Sequence, residues 1–120
     1  MTRVLVVDDH TYVRNNIRAL LADQTAWQLY EAENGKTAVD LTKKDHPDVV
    51  VLDIVMPVMS GLEAAYEITK FAPKTKIVFI SSHYTAEQAA VLTRLFGADF
   101  VPKSEVGKQL VPAIKKLLDS

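Results

Sequence analysis

Two segments, Val49–Leu52 and Ile77–Ile80, are apolar without a break. Four residues are too few for a stable helix, and an unbroken apolar run has no polar side to offer water. Such a segment reads as a strand covered on both faces, the situation of an interior strand in a parallel sheet. Parallel neighbours need long crossover connections, and covering both faces needs helices on each. Further strand-length segments recur at helix-length intervals: Val4–Val7, a weaker Trp27–Ala32, and Phe100–Val101. Between them lie helical patterns. Val13, Ile17, Leu20 and Leu21 form one apolar stripe, and Leu110, Ile114, Leu117 and Leu118 repeat its spacing. Ser60 with Glu63 and Thr85 with Gln88 are capping boxes, Asn34-Gly35 marks a helix start, and Pro73 marks a helix end. The chain is therefore expected to be an α/β protein, β-α repeated five times, doubly wound with right-handed crossovers.

The 120 residues fit one domain large enough to bury a core unaided, and 48% of them are apolar. There is no cysteine, which excludes disulfides, thiol catalysis and thiolate-bound metal. The formal charge of −1 argues against broad charge-driven binding of nucleic acid. No apolar run is long enough to cross a membrane or to form a signal-peptide core, so a cytoplasmic location is expected.

In a doubly wound sheet, ligands sit at the carboxyl ends of the strands, beside the point where strand order reverses. The first strand ends in Asp8-Asp9, the third in Asp53, the fourth in Ser81-Ser82, and Lys103 follows the fifth. Singly, each has an ordinary explanation: a cap, a turn former, a polar strand end, a solvated lysine. Together they place three carboxylates, hydroxyls and an ammonium at one sheet edge. Crowded carboxylates raise one another's pKa unless a cation intervenes. Mg²⁺ suits such a set, because it takes a few carboxylates together with waters and a phosphate oxygen. No glycine-rich phosphate loop follows any strand, so the backbone does not cradle a nucleotide.

Four segments carry a family resemblance: V-L-V-V-D-D-H at 4–10, V-V-V-L-D-I-V-M-P-V-M-S-G at 49–61, I-V-F-I-S-S-H at 77–83 and G-A-D-F-V-P-K at 97–103. Over essentially its whole length the chain resembles a receiver domain of two-component response regulators. The D-D-H start, M-S-G-L-E at 59–63 and S-S-H are most similar to receivers that precede a LuxR-type DNA-binding helix-turn-helix (the LuxR/NarL/FixJ group). The resemblance implies a flavodoxin-like (βα)5 sheet in the order 2-1-3-4-5, filling residues 1–120. It implies that Asp53 accepts a phosphoryl group from a sensor histidine kinase or a small phosphodonor. Asp9 and Asp53 would ligate Mg²⁺ (or Mn²⁺) directly, Asp8 through water, and Val55 through its backbone carbonyl. Ser81 would bond one phosphoryl oxygen and Lys103 another, with Phe100 as the aromatic switch residue. Val55 and His83 would flank the path of a hydrolytic water and so tune the lifetime of the phosphorylated state. Phosphorylation would promote homodimerisation or partner binding through the fourth helix, fifth strand and fifth helix. With no effector domain in this chain, nucleic acid would be met only through one lying outside it, and no membrane is expected as a partner. Catalysis would be limited to self-directed phosphotransfer and autodephosphorylation.

The chain departs from the common receiver pattern at two places. Ser104 follows Lys103 where a cis proline is usual, so the bond is either a strained cis or a trans peptide. Val58 stands where many receivers have glycine, which puts the loop after Pro57 in question. His46 reads as solvated, His10 as a neighbour of the first helix cap, and Trp27 as edge-strand packing. On the fourth helix, Ala89, Thr93 and Phe96 make one stripe while Val91 and Leu95 make another, so that helix is either unusually buried or carries a contact face. The competing readings are a receiver-fold interaction module that takes no phosphate, an aspartyl-phosphate hydrolase, and a flavin carrier. The hydrolase would want a second acid where Val55 stands, and the flavin carrier a phosphate loop after the first strand.

Overall fold

A computed structural model describes all 120 residues. The elements alternate along the chain: β1 (Thr2–Val7), α1 (Thr11–Leu21), β2 (Trp27–Ala32), α2 (Gly35–Asp45), β3 (Val49–Asp53), α3 (Gly61–Phe71), β4 (Lys76–Ser81), α4 (Ala86–Phe96), β5 (Asp99–Pro102), a single 3₁₀ turn (Lys103–Glu105) and α5 (Val106–Leu118). The five strands form one parallel sheet in the order β2-β1-β3-β4-β5. This is the flavodoxin-like arrangement expected from the sequence. No helix is long and apolar enough to cross a membrane.

The unbroken apolar strands are explained by the two helix layers. Successive side chains of a strand point to opposite faces. Leu5, Val7, Val50, Leu52, Ile77 and Phe79 therefore pack with Ala38 and Val39 of α2 and Ala64, Ala65 and Ile68 of α3. Their alternates Val4, Val6, Val49, Val51, Val78 and Ile80 pack with Ile17 and Leu21 of α1 and with Leu110 and Ile114 of α5. Every residue of β3 is buried.

Local chemistry sets the helix starts. Asn34 Oδ1 accepts from the Thr37 amide, and both capping boxes are closed on both sides. The fourth helix departs from expectation in one respect. Its core stripe is Ala89, Leu92 and Phe96, whereas the Thr93 hydroxyl turns back to the Ala90 carbonyl. Val91 and Leu95 are 60% and 72% exposed, so the second stripe faces outward rather than into a core.

The two doubtful loops are resolved. There is no cis peptide bond, so Lys103–Ser104 is trans. Val58 adopts φ +69°, and the Met59 amide donates to the Pro57 carbonyl at 2.8 Å, closing a γ-turn with Val58 at its centre. A β-branched residue is a genuine outlier at positive φ. Its side chain is fully exposed and so gains no packing in return. Val58→Gly is expected to stabilise the protein by about 1 kcal/mol, because the left-handed penalty exceeds the extra unfolded-state freedom of glycine. Urea denaturation measures this, and an unchanged or lowered midpoint contradicts it.

Candidate functional site

β1 leads through α1 to β2 on one side, and the chain then crosses back to β3 on the other side of β1. The strand order thus reverses between the carboxyl ends of β1 and β3. Asp8 and Asp9 leave β1 there, and Asp53 closes β3. Asp8 and Asp53 are buried, at 0% and 2% exposure, while Asp9 is partly exposed.

Lys103 arrives from the end of β5 and places its ammonium between two of these carboxylates. Nζ lies 2.7 Å from Asp8 Oδ2 and 3.2 Å from Asp53 Oδ2. The bond to Asp53 is a directed hydrogen bond; the shorter approach to Asp8 is an ion pair out of hydrogen-bond alignment. Asp53 Oδ1 accepts a long bond, 3.4 Å, from the Val55 amide. Asp8 Oδ1 accepts from the His10 amide at 2.9 Å. Arg14 of α1 donates to the Asp8 carbonyl at 2.7 Å and pairs with Glu31 of β2 at 3.2 Å, which fixes the end of β1.

One ammonium among three carboxylates leaves the site net negative by two charges. The Asp53 carboxyl responds accordingly and is raised to about 6. Burial is the larger cause and the Asp8 charge the next, with Lys103 and the Val55 amide pulling in the other direction. Burial also works against the Lys103 ammonium, but its close pairing with the Asp8 and Asp53 carboxylates outweighs that and raises its pKa above the ordinary lysine value. Two buried carboxylate oxygens, Asp8 Oδ2 and Asp9 Oδ1, have no hydrogen-bond partner. All-oxygen donors, excess negative charge and an Asp9 Oδ1 without a hydrogen bond, with Asp8 Oδ2 met only by the Lys103 ammonium, fit a hard divalent cation.

The family model of the response regulator receiver domain matches residues 4–115. The chain belongs to that family. It is a receiver of two-component signalling, and three relatives show how widely such receivers are used. It is 39% identical, over 99% of its length, to a protein-glutamate methylesterase/protein-glutamine glutaminase of Methanosarcina mazei, and spans only about a third (34%) of that relative. It superposes with TM-score 0.85 and 33% identity on the response regulator TrrA of Thermotoga maritima, in complex with Mg²⁺-BeF, covering 98% of this chain and 99% of that one. A LuxR-family response regulator of Aurantimonas gives TM-score 0.89 at 30% identity, covering 99% of this chain and 86% of that one. The methylesterase and the LuxR-family regulator match alike, so the similarity does not single out the LuxR group.

The remaining residues singled out in the receiver sequence lie around this cluster. Ser81 ends β4, and its Oγ accepts from the amides of His83 (2.9 Å) and Tyr84 (3.2 Å) rather than contacting Asp53. Phe100 is half-buried on β5 against the layer of α2 and α3. Val55 and His83 are both exposed on loops at the same sheet edge.

Three residues of the site were not foreseen. His10 does not cap α1 with its side chain; it turns toward Asp8 and Asp9. Tyr84 takes one of the two amide bonds on Ser81. Gly61 carries no side chain where one would strike the backbone of Asp53. The D-D-H run and the M-S-G run held these residues in view, but nothing in one dimension says what they touch.

Proposed function

We propose that Asp53 is the phosphoacceptor of a Mg²⁺-dependent switch, taking its phosphoryl group from a sensor histidine kinase or a small phosphodonor. The observation that carries this reading is the pairing of a buried Asp53 with Lys103 at the switch point, beside two further carboxylates. A carboxylate attacks a phosphoryl group poorly because both are anionic. Lys103 offsets that charge, and it sits within reach of any oxygen attached to Asp53 Oδ2. Asp9, Asp53 and the Val55 carbonyl would hold the divalent ion, with Asp8 behind a water; the ion would supply the rest of the neutralisation. In the transfer, an Asp53 oxygen bonds to phosphorus as the donor's P–N or P–O bond breaks and the leaving group departs with the electron pair. No reaction on an external substrate is assigned to this domain. A cytoplasmic setting suits a kinase partner, and the D-D-H and S-S-H segments favour a transcription-type output through an effector domain.

The switch runs through Ser81. Its oxygen accepts two amide bonds, so its single proton is free to be donated. A phosphoryl group on Asp53 adds strong acceptors nearby. Turning the hydroxyl toward them withdraws the acceptor from the His83 and Tyr84 amides and loosens the loop into α4, leaving space that Phe100 can fill. The outward stripe of Val91 and Leu95 lies on the helix so moved and supports a dimer or partner contact there. Ser81→Ala should accept phosphoryl groups and bind Mg²⁺ nearly as wild type, yet lose more than half of the NMR shift response of α4, β5 and α5. A full response in the variant contradicts the switch.

Loss of the phosphoryl group needs a water in line behind phosphorus. Val55 has no polar group to orient one, and we assign His83 the role of obstructing the path. The phosphorylated state should therefore persist for minutes or longer, and Val55→Asn and His83→Ala should each shorten its lifetime in a phosphate-release assay. Slower decay in His83→Ala would show instead that the imidazole assists hydrolysis. The function as a whole is tested by intact-mass measurement after incubation with acetyl phosphate, with and without Mg²⁺. Labelling that ignores Mg²⁺ overturns the ion-dependent mechanism, and no labelling under any condition argues for a receiver-fold interaction module.

A further inference from the structure

Asp8 is the first residue past the ladder of β1, whose last pairs join Val7 to Ala32 of β2 and Leu52 of β3. Four contacts fix it there. Its amide donates to the Ala32 carbonyl at 3.2 Å, the His10 amide donates to its Oδ1 at 2.9 Å, and its Oδ2 faces the Lys103 ammonium at 2.7 Å. The fourth comes from Arg14, whose Nη1 donates to the Asp8 carbonyl at 2.7 Å. Only 13% of the Arg14 side chain is exposed, and its guanidinium is itself held. Nε donates to Glu31 Oε1 at 3.2 Å and Nη2 to the Thr11 hydroxyl at 3.3 Å. The other Glu31 oxygen accepts from Arg18, one turn along α1, at 2.7 Å. Arg14 thus ties the edge strand β2 to the backbone of Asp8, with its charge paired to Glu31 and not to the carboxylates of the site.

We propose that Arg14 is a positioning residue for phosphoryl transfer. Its planar fork reaches two acceptors at fixed angles: Glu31 orients it, and it fixes the Asp8 carbonyl. Asp8 so held carries the Lys103 ammonium, and the same ammonium donates to Asp53 at 3.2 Å. β2, which contributes no group to the chemistry, therefore sets the alignment of Lys103 with the acceptor through Glu31, Arg14 and Asp8. The inference rests on the reading of Asp53 as phosphoacceptor and extends it to a residue outside the reacting groups. Misplacing a reacting group by about 1 Å can cost about 10²-fold in rate. Freeing the Asp8 carbonyl should thus slow the transfer step itself and leave donor binding alone. A lysine at position 14 keeps the charge but replaces the fork by a point charge, so it cannot hold both acceptors in place.

The test labels the whole chain with acetyl phosphate at saturating Mg²⁺ and follows the initial rate against donor concentration. Arg14→Gln and Arg14→Lys should each lower the maximal rate about tenfold, with the half-saturating donor concentration within about twofold of wild type. Glu31→Gln should also slow the transfer. Arg14→Gln combined with Glu31→Gln should be no slower than Arg14→Gln alone, because Glu31 acts through Arg14. Arg18→Gln breaks the shorter Glu31 bond without touching Asp8, and its rate should stay within about twofold of wild type. In the ion-free protein, the ¹H–¹⁵N correlation of the Lys103 ammonium, assigned by its absence in Lys103→Arg, should move or broaden in Arg14→Gln and keep its place in Arg18→Gln. A wild-type rate in Arg14→Gln, full rescue by Arg14→Lys, or an unmoved Lys103 signal each overturns the assignment and leaves Asp53 standing as the acceptor. Equal slowing in Arg18→Gln also overturns it, since loss of the ion pairs in general, not of the grip on Asp8, would then be the cause. A wild type that takes no label removes the proposed acceptor, and this inference with it.

Discussion

Asp53→Asn is expected to abolish labelling by acetyl phosphate while making the protein more stable in the absence of divalent ions. The first effect follows from loss of the acceptor oxygen's nucleophilicity at the only carboxylate that Lys103 reaches by a directed hydrogen bond. The second follows from linkage. The folded-state pKa of Asp53 is about 6, against an ordinary value of 3.8, because burial and the Asp8 charge disfavour the anion. A carboxyl that holds its proton more tightly when folded makes folding less favourable once it is ionised. The penalty is fully present above pH 6 and fades as the pH falls from about 6 toward 3.8. Two pKa units correspond to about 3 kcal/mol above pH 7, of which about half is relieved by pH 5. The neutral amide carries none of it, although a weakened bond to Lys103 offsets part of the gain. Urea denaturation at pH 7.5 and pH 5 should show wild type gaining relative to Asp53→Asn on acidification. Mg²⁺ at pH 7.5 should close the gap between them, since it stabilises the ionised site. A less stable Asn variant at pH 7.5 would falsify this account, and undiminished labelling would remove Asp53 as acceptor.

Gly61→Ala should be among the most damaging single-methyl changes in the molecule. A Cβ at position 61 would stand 2.0 Å from the Asp53 carbonyl oxygen, 2.8 Å from its carbonyl carbon and 2.9 Å from Ile54 Cα. All three are backbone atoms, so no side chain can swing aside. The backbone itself is pinned: Gly61 donates to the Ile54 carbonyl at 2.8 Å, and Ile54 donates to the Ile80 carbonyl at 3.0 Å. Relief requires either pulling the start of α3 away or displacing the end of β3, and with it Asp53. Overpacking of a buried site costs about 1–3 kcal/mol even where side chains can adjust, so a loss of about 3 kcal/mol or more is expected here. The variant that does fold should also label more slowly, because the nucleophile has moved. Gly107→Ala is the control: nothing lies within 4 Å of its added Cβ, and alanine's helix propensity should make it neutral or stabilising by up to about 1 kcal/mol. If chemical denaturation finds Gly61→Ala within about 0.5 kcal/mol of wild type, the close approach of α3 to β3 is misplaced.

The two substitutions separate what could be read along the chain from what could not. Asp53 was legible because strand ends are marked by the sequence itself. Val49–Leu52 is unbroken and apolar, the first polar residue after it ends the strand, and a parallel sheet gathers such ends at one edge. Asp8, Asp9, Ser81 and Lys103 were legible by the same rule. The capping boxes at Ser60 and Thr85 were legible because both partners lie within one turn. These are features whose physics is local, or periodic, and so is written in neighbouring residues. By itself the sequence determined the element order, both helix layers, the family and the carboxylate edge.

Tertiary structure decided the rest, because the rest depends on distances between residues far apart in the chain or on which way a residue faces. Lys103 bridges Asp8 and Asp53 across separations of 95 and 50 residues, and only the folded sheet says that it meets both. Thr93 and Leu92 are adjacent, and packing alone assigned Leu92 to the core. The γ-turn that drives Val58 to positive φ is invisible in a residue that normally avoids it. His10 looked like a helix-cap neighbour until its ring was seen equidistant from two carboxylates. Gly61 is an absence, and an absent side chain acquires meaning only when the backbone of Asp53 is found in the space it leaves.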